Sequence, residues 1–144
     1  TKITCDDIEK PKKVGNLLYV NTKQSASSQV KKYLTELCRT HLNFMCQGFS
    51  KRLGSKICKV TLRDTRSRWG SCSSDANLMF SWRLVMAPED VLAYVAAHEV
   101  AHLKHMNHSK DFWGTVEYLF GPYKKERAWL KQNGPLLHRY KFES

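Results

Sequence analysis

The chain lacks the features that mark small secreted proteins and membrane proteins. Its five cysteines are odd in number and include no CxxC pair, which argues against a disulfide framework and a thiolate zinc site. The longest wholly apolar run, residues 91–97, is far too short to span a bilayer. The N-terminus also lacks the apolar core of a signal peptide. We therefore expect a cytoplasmic protein with reduced thiols and no membrane partner.

Acidic residues are few relative to basic ones. The chain has 24 Lys and Arg against 13 Asp and Glu, a formal net charge of +11, and most of the excess lies in residues 1–60. Such an excess suits nucleic acid, a nucleotide or acidic lipid, although a lysine-rich surface that only aids solubility is the simpler explanation. No Gly-rich phosphate loop of the Walker type is present.

The length and composition fit one domain. With 144 residues, 42% of them hydrophobic, the chain can bury a core without needing a metal merely to fold. Residues 1–27 form a polar N-terminal segment with one short apolar run. Because the sequence begins with Thr1 rather than Met, we expect a longer upstream region. Residues 28–144 are predicted to form the domain, beginning with an amphipathic helix over residues 28–50.

The remaining pattern predicts an α+β fold. Two β-rich segments, residues 56–64 and 77–87, flank a small polar stretch and are predicted to pair as an antiparallel hairpin. Three helices should follow: residues 88–104, one capped by Ser109, and one that stops at Gly134. The predicted core includes Leu34, Leu37, Phe44, Leu62, Leu84, Val91, Val95, Leu103, Phe112, Val116, Leu119 and Trp129.

A histidine cluster carries the clearest chemical signal. His98, Glu99 and His102 form the pattern HExxH, which on a helix sets two imidazoles one turn apart on the same face. Two such nitrogens can reach one zinc ion, although a solvated polar helix face is the alternative interpretation. Glu99 would then not bind the metal. Its expected role is to take a proton from zinc-bound water and return it to the leaving group.

Catalytic zinc needs a third protein ligand, and the chain offers several. On a continuous helix His105 would lie about 10 Å along the axis from His98, too far to share an ion. If the helix breaks near residues 104–108, His108 swings back to the metal, and Asn107 and Ser109 favour such a turn. Glu117 on the following helix is a second candidate ligand, or a partner that orients a histidine.

The same region resembles a known family. The segments RWGSC, NLMFSWRLV, HEVAH and NHSKDFW occur in this order and resemble the YgjP-like family of bacterial metal-dependent hydrolases. That family is placed among the zincin metallopeptidases and is related in style to WLM and SprT-type domains. The resemblance covers about residues 57–134. It implies a zincin-like fold with a small antiparallel sheet packed against the HExxH helix, and zinc held by His98, His102 and His108 with Glu99 catalytic.

Several residues are candidates for contact with substrate. In zincins an edge strand beside the active-site helix pairs with an extended peptide, so the RWGSC segment and the following strand are candidate cleft walls. Arg68, Trp69 and Arg83, and also Arg66, could face the substrate, although an aromatic at a turn is usually a packing residue. The spacing of Cys72 gives it no required role in binding metal.

Three functions remain open at this point. The first is a zinc-dependent metallopeptidase acting on a peptide or protein. The second is a pyrophosphatase that hydrolyses a nucleoside triphosphate, since members of the resembled family have been described as acting on UTP. The third is a non-enzymatic zinc module that binds nucleic acid, which would need a closed site with four protein ligands. An all-imidazole site favours zinc among the candidate ions.

Overall fold

A computed structural model describes residues 12–14, 17–19, 26–65 and 68–139 of the chain. Strands β1 (Lys12–Val14) and β2 (Leu17–Tyr19) pair as an antiparallel hairpin, so the short apolar run of the N-terminal segment contains a strand. Helix α1 (Ala26–Leu53) follows, a few residues longer than predicted. The helix ends at Leu53, and Gly54 follows it with a φ of 78°, a left-handed conformation that glycine adopts without steric cost.

Within the described residues, the main sheet has three strands in the order β3–β5–β4. β3 (Lys59–Arg63) runs parallel to β5 (Asn77–Ser81), and β4 (Gly70–Cys72) runs antiparallel to β5. The sheet is therefore mixed, and the predicted antiparallel hairpin of segments 56–64 and 77–87 is wrong. The polar stretch between these segments contains a strand of its own, and this strand takes the hairpin position beside β5.

The strand predicted over residues 77–87 is also too long. β5 ends at Ser81, whose hydroxyl accepts a hydrogen bond from the backbone N–H of Arg83 at 3.3 Å. This bond caps a 3-10 turn over Trp82–Met86, because a serine side chain offers the backbone an alternative to the strand ladder. The turn redirects the chain towards the next helix.

Three helices complete the domain: α2 (Glu89–Ala101), α3 (Lys110–Phe120) and α4 (Lys124–Arg139). The predicted stop at Gly134 is wrong, since α4 continues through Pro135. Tertiary contacts here offset the tendency of Gly134 and Pro135 to end a helix. Leu137 is buried and its carbonyl accepts a hydrogen bond from Arg83 at 3.1 Å, which anchors the last turn.

The core lies where the inner face of the main sheet meets α1, α2 and α3. Six of the predicted core residues are buried: Leu84, Val91, Val95, Phe112, Val116 and Leu119. Phe44 was predicted to join them and is 81% exposed. The buried line of α1 runs through Cys38, Leu42 and Cys46, and Phe44 lies two residues from Leu42, on the opposite side of the helix. None of the helices within the described residues is long and apolar enough to cross a membrane.

Candidate metal centre

Helix α2 has two polar residues, His98 and Glu99, near the end of a mostly apolar segment. Val95, Ala96 and Val100 are buried in the core, and Glu99 among them is only 5% exposed. The helix ends at Ala101, and His102 still has helical dihedral angles. His98 and His102 therefore lie one turn apart on the same face, as the HExxH spacing predicts.

The chain reverses direction immediately after α2. The hydroxyl of Ser109 accepts a hydrogen bond from the backbone N–H of Phe112 at 3.2 Å and caps α3, as predicted from the sequence. The reversal returns His108 to the end of α2, where its ring centroid lies 4.9 Å from that of His102 and 5.3 Å from that of His98.

The three imidazoles form a group that could hold one metal ion. Their candidate ligand atoms all lie within 4.8 Å of one another. The two other candidate ligands point elsewhere, because His105 and Glu117 line a separate cavity beside α3. The structure thus brings together His98, His102 and His108, as the helix break at residues 104–108 requires.

Phe112 supports all three rings, a role that its assignment to the core did not anticipate. Its ring is fully buried, and its centroid lies 5.0 Å from that of His98, 4.4 Å from His102 and 4.9 Å from His108. One feature of the sequence indicated this role: Phe112 lies one helical turn after His108, in the first turn of the helix that Ser109 caps. A buried ring touching each imidazole restricts where the three side chains can move.

His102 is oriented by a backbone carbonyl. Its Nδ1 lies 2.9 Å from the carbonyl oxygen of His105. Because a carbonyl can only accept, Nδ1 carries the proton and Nε2 keeps its lone pair. Such a hydrogen bond fixes both the tautomer and the ring orientation of a metal-binding histidine. His105 therefore contributes through its backbone rather than its imidazole.

The surroundings of His98 and His102 favour the neutral form of these two imidazoles. The pKa of His98 is lowered to about 3, mainly by burial and additionally by the neighbouring His102, His108 and Arg127. The pKa of His102 is also lowered, mainly by burial, against the opposing hydrogen bond to His105. Neutral imidazole is the form that binds a metal.

This donor set fits a divalent transition-metal ion. Three imidazole ligands leave an open coordination position, which is the arrangement of catalytic zinc sites. Two nitrogens that share one tetrahedral zinc ion would lie about 3.4 Å apart, so ligand atoms spread over up to 4.8 Å would have to move closer together to bind it. His108 is exposed and lies between two helices, where such an adjustment meets the least packing resistance.

Glu99 faces the same space as the histidines. A cavity of about 310 Å³ is lined by the three imidazoles, Glu99, Met106, Arg68 and β4. Burial raises the pKa of Glu99 to about 8, while the Arg68 guanidinium opposes this rise. A dication held by the imidazoles would favour the ionised carboxylate, since an opposite charge nearby lowers the pKa of an acid.

Gly70 lets strand β4 pass directly over Glu99. A Cβ placed on Gly70 would lie 2.9 Å from Cγ and 3.1 Å from Oε2 of Glu99, and 3.1 Å from the carbonyl oxygen of Met79. Any side chain at this position would therefore displace the carboxylate or the strand. The sequence pointed to RWGSC as a cleft wall, but it gave no indication that the glycine holds space for the glutamate.

The structure separates the predicted substrate residues. Arg68 is exposed and lines the cavity beside Glu99. Trp69 packs against Gly134 of α4, where an added Cβ would lie 3.2 Å from its ring. Arg83 is only 2% exposed, and its guanidinium donates to the Asp64 carboxylate at 2.8 Å. Arg66 lies outside the described residues.

Cys72 borders the cavity without joining the metal-binding group. It lies on β4 among the lining residues, and burial raises the pKa of its thiol to about 11, with a further contribution from Glu99. A neutral thiol at pH 7 is a poor metal ligand, because the thiolate is the binding form. Its contribution to the site is the shape of the cleft wall.

The chain forms an α+β domain of the metallopeptidase type. It combines an HExxH helix, a third histidine that a turn brings back to that helix, and a small sheet beside it. The family profile described as YgjP-like, metallopeptidase domain, matches residues 5–133. The chain therefore belongs to the YgjP-like metallopeptidase family. The match includes most of the N-terminal segment, and the predicted domain boundary at residue 28 stays a prediction.

A solved structure shares the fold. The metallopeptidase zymogen of Pyrococcus abyssi abylysin matches with a TM-score of 0.56 and 21% sequence identity, covering 66% of this chain and 94% of that chain. At this identity the likeness concerns the fold alone. A comparison with curated proteins gives no match. The α+β, metallopeptidase-like fold predicted from the sequence is confirmed, with the correction that its sheet is mixed.

Proposed function

We propose that the protein is a zinc-dependent metallopeptidase in which Glu99 is the general base. The observation that carries this proposal is the buried Glu99 carboxylate in the same cavity as three clustered imidazoles. Zinc at this position would act as a Lewis acid towards the peptide carbonyl and lower the pKa of water in its open coordination position.

The residues of the chain have distinct tasks in this proposal. Glu99 accepts a proton from the attacking water and delivers it to the nitrogen of the leaving amine. Its burial excludes bulk water, which would otherwise compete for that proton. Gly70 leaves room for the carboxylate, and the carbonyl of His105 holds the His102 ring in one orientation. Met106 and Arg68 complete the cavity wall.

β4 is placed to position a peptide. Within the described part of the sheet, β4 is an edge strand that pairs with β5 alone, and its residues 70–72 line the cavity. An extended peptide can add to such an edge through main-chain hydrogen bonds, which bind it without regard to most side chains. The scissile bond would thereby be presented alongside Glu99.

Hydrolysis of a nucleoside triphosphate is the second candidate. The observation that favours it is Arg68, an exposed guanidinium that lines the cavity next to Glu99, because guanidinium groups bind phosphate in a bidentate manner. The same general base would then serve a phosphoanhydride.

One assay separates the two candidates. Zinc-reconstituted protein is offered unfolded casein and UTP in parallel, and new peptide N-termini and released pyrophosphate are measured. We expect casein cleavage and no pyrophosphate. Pyrophosphate release without casein cleavage, lost in the Glu99→Gln variant, would assign the site to nucleotide hydrolysis.

A further inference from the structure

A second cavity adjoins the metal centre on the other side of β4. It has a volume of about 480 Å³ and lies on the outer face of the main sheet. Arg68, Ser71 and Cys72 line both cavities. The two spaces are therefore neighbours, separated only by the edge strand along which we place the peptide.

The charge of this second cavity has one sign. Lys59 and Arg63 stand at the two ends of β3 and are exposed, and Arg68 lies on the side nearer the histidines. The remaining lining residues are Thr61, Ser71, Cys72, Ser73, Asn77, Leu78 and Met79. The described lining thus has three cations and no carboxylate, which gives the cavity a positive potential that attracts an anionic group.

Peptide geometry directs side chains towards these cations. Successive side chains of an extended strand point to opposite faces, so every second side chain of a peptide paired with β4 lies over the outer face of the sheet. Arg68 is the cation nearest to such a side chain. Lys59 and Arg63 lie on β3, beyond β5 and about 10 Å from β4, and their long side chains extend across the outer face to line the same cavity. A substrate carboxylate at this position would gain hydrogen bonds and charge compensation together.

The lining also indicates which anion is favoured. Proteins that bind single-stranded nucleic acid stack its bases on aromatic side chains, and no aromatic ring is among the described residues that line this cavity. A carboxylate needs only the guanidinium and ammonium groups that are present.

Building on the metallopeptidase function, we propose that the outer-face cavity is a substrate subsite that selects an Asp or Glu side chain of the peptide through Arg68, Arg63 and Lys59. The three residues determine specificity and do not touch the reacting atoms. Peptides with an acidic residue at this position bind in preference to otherwise identical neutral ones.

Binding can be measured without turnover. Zinc-loaded Glu99→Gln protein is titrated at fixed salt into three fluorescein-labelled peptides that differ only in alternate Glu, Gln or Lys residues, and anisotropy is recorded. Because exposed ion pairs contribute a few-fold each, we expect the Glu peptide to bind about tenfold more tightly than the Gln peptide. The added changes Lys59→Glu and Arg63→Glu should abolish this preference.

A matched control separates the subsite from overall charge. Lys124→Glu with Lys125→Glu changes the net charge equally on α4, and both residues are exposed, so the tenfold preference should persist. Equal binding of the Glu and Gln peptides by the Glu99→Gln protein would overturn the proposal. It would also be overturned if the Lys59/Arg63 and Lys124/Lys125 double variants lost the preference for the Glu peptide to the same extent. Tighter binding of single-stranded DNA, sensitive to the Lys59 and Arg63 changes, would also overturn it in favour of nucleic acid.

The outcomes also distinguish this subsite from the proposed function. An intact preference for the Glu peptide, together with wild-type protein that cleaves no peptide, would refute the peptidase and support the acidic-ligand site. Cleavage of casein without any preference for acidic side chains would refute the subsite and support the peptidase. Sequencing the casein fragments supplies the second readout.

Discussion

Replacing Gly70 with Ala tests how the fold positions the general base. The new Cβ would lie 2.9 Å from Cγ of Glu99, closer than real Cβ atoms approach a neighbour, so either β4 or the glutamate must move. Met79 restricts movement of the strand, since its carbonyl oxygen would be 3.1 Å from the same Cβ. We therefore expect the Glu99 side chain to rotate away from its place beside the histidines.

The size of the effect follows from the geometry. Displacing a catalytic group by about 1 Å can cost about a hundredfold in rate, so kcat of Gly70→Ala should fall by about that factor. Overpacking a filled site should also lower the free energy of unfolding by about 1–3 kcal/mol. The affinity for zinc should stay within a few-fold of wild type, because the three atoms nearest the new methyl group belong to Glu99 and Met79 and not to the histidines.

The assay combines casein cleavage, zinc affinity from chelator competition and unfolding in urea. Gly48→Ala is the matched control, since a Cβ at this exposed position of α1 meets no atom within 4 Å. It should keep full activity and gain up to about 1 kcal/mol of stability from helix propensity. Full activity of Gly70→Ala, or equal loss of zinc affinity and activity, would refute the argument that Gly70 holds space for Glu99.

Three further predictions concern the free energy of unfolding and its dependence on zinc binding. Arg83→Met should lower the free energy of unfolding by about 2–3 kcal/mol, because a buried charged donor to Asp64 and Leu137 is lost, with KM for peptide unchanged. A raised KM at full stability would instead place Arg83 at the substrate. Phe44→Ser should change stability, measured in urea, by less than about 0.5 kcal/mol, and a larger loss would show that Phe44 is covered. Zinc at a hundred times its Kd should raise the free energy of unfolding by about 2.7 kcal/mol in thermal unfolding. This gain should disappear in His108→Ala, and its persistence would remove His108 from the site.

The parts of the site that the sequence predicted depend on local patterns. The HExxH spacing places His98 and His102 on one helical face whatever the rest of the fold does. The end of α2 and the cap at Ser109 return His108 within a few residues. Helix period, caps and turns act over short stretches of chain, so they can be inferred without knowledge of tertiary packing.

The parts that the sequence missed depend on contacts between distant segments. Nothing near residues 59–63 indicates a parallel partner at residues 77–81 with a third strand on its far side. The contact of Gly70 with Glu99 joins residues 29 positions apart, and it follows only once β4 is placed on α2. Arg83 has a similar explanation, because its partner carbonyl at Leu137 lies on a helix that was predicted to stop earlier.

Casein cleavage by wild type and the Glu99→Gln variant, compared at equal zinc content per chain, tests the central claim most directly. We expect one zinc per chain in both proteins, because Glu99 is adjacent to the ligand group and not part of it. Removing a general base typically costs about 10²–10⁴-fold in rate, so the variant should show cleavage reduced by at least about a hundredfold. Wild-type cleavage rates in a zinc-loaded Glu99→Gln protein would contradict the claim that this carboxylate performs the proton transfer.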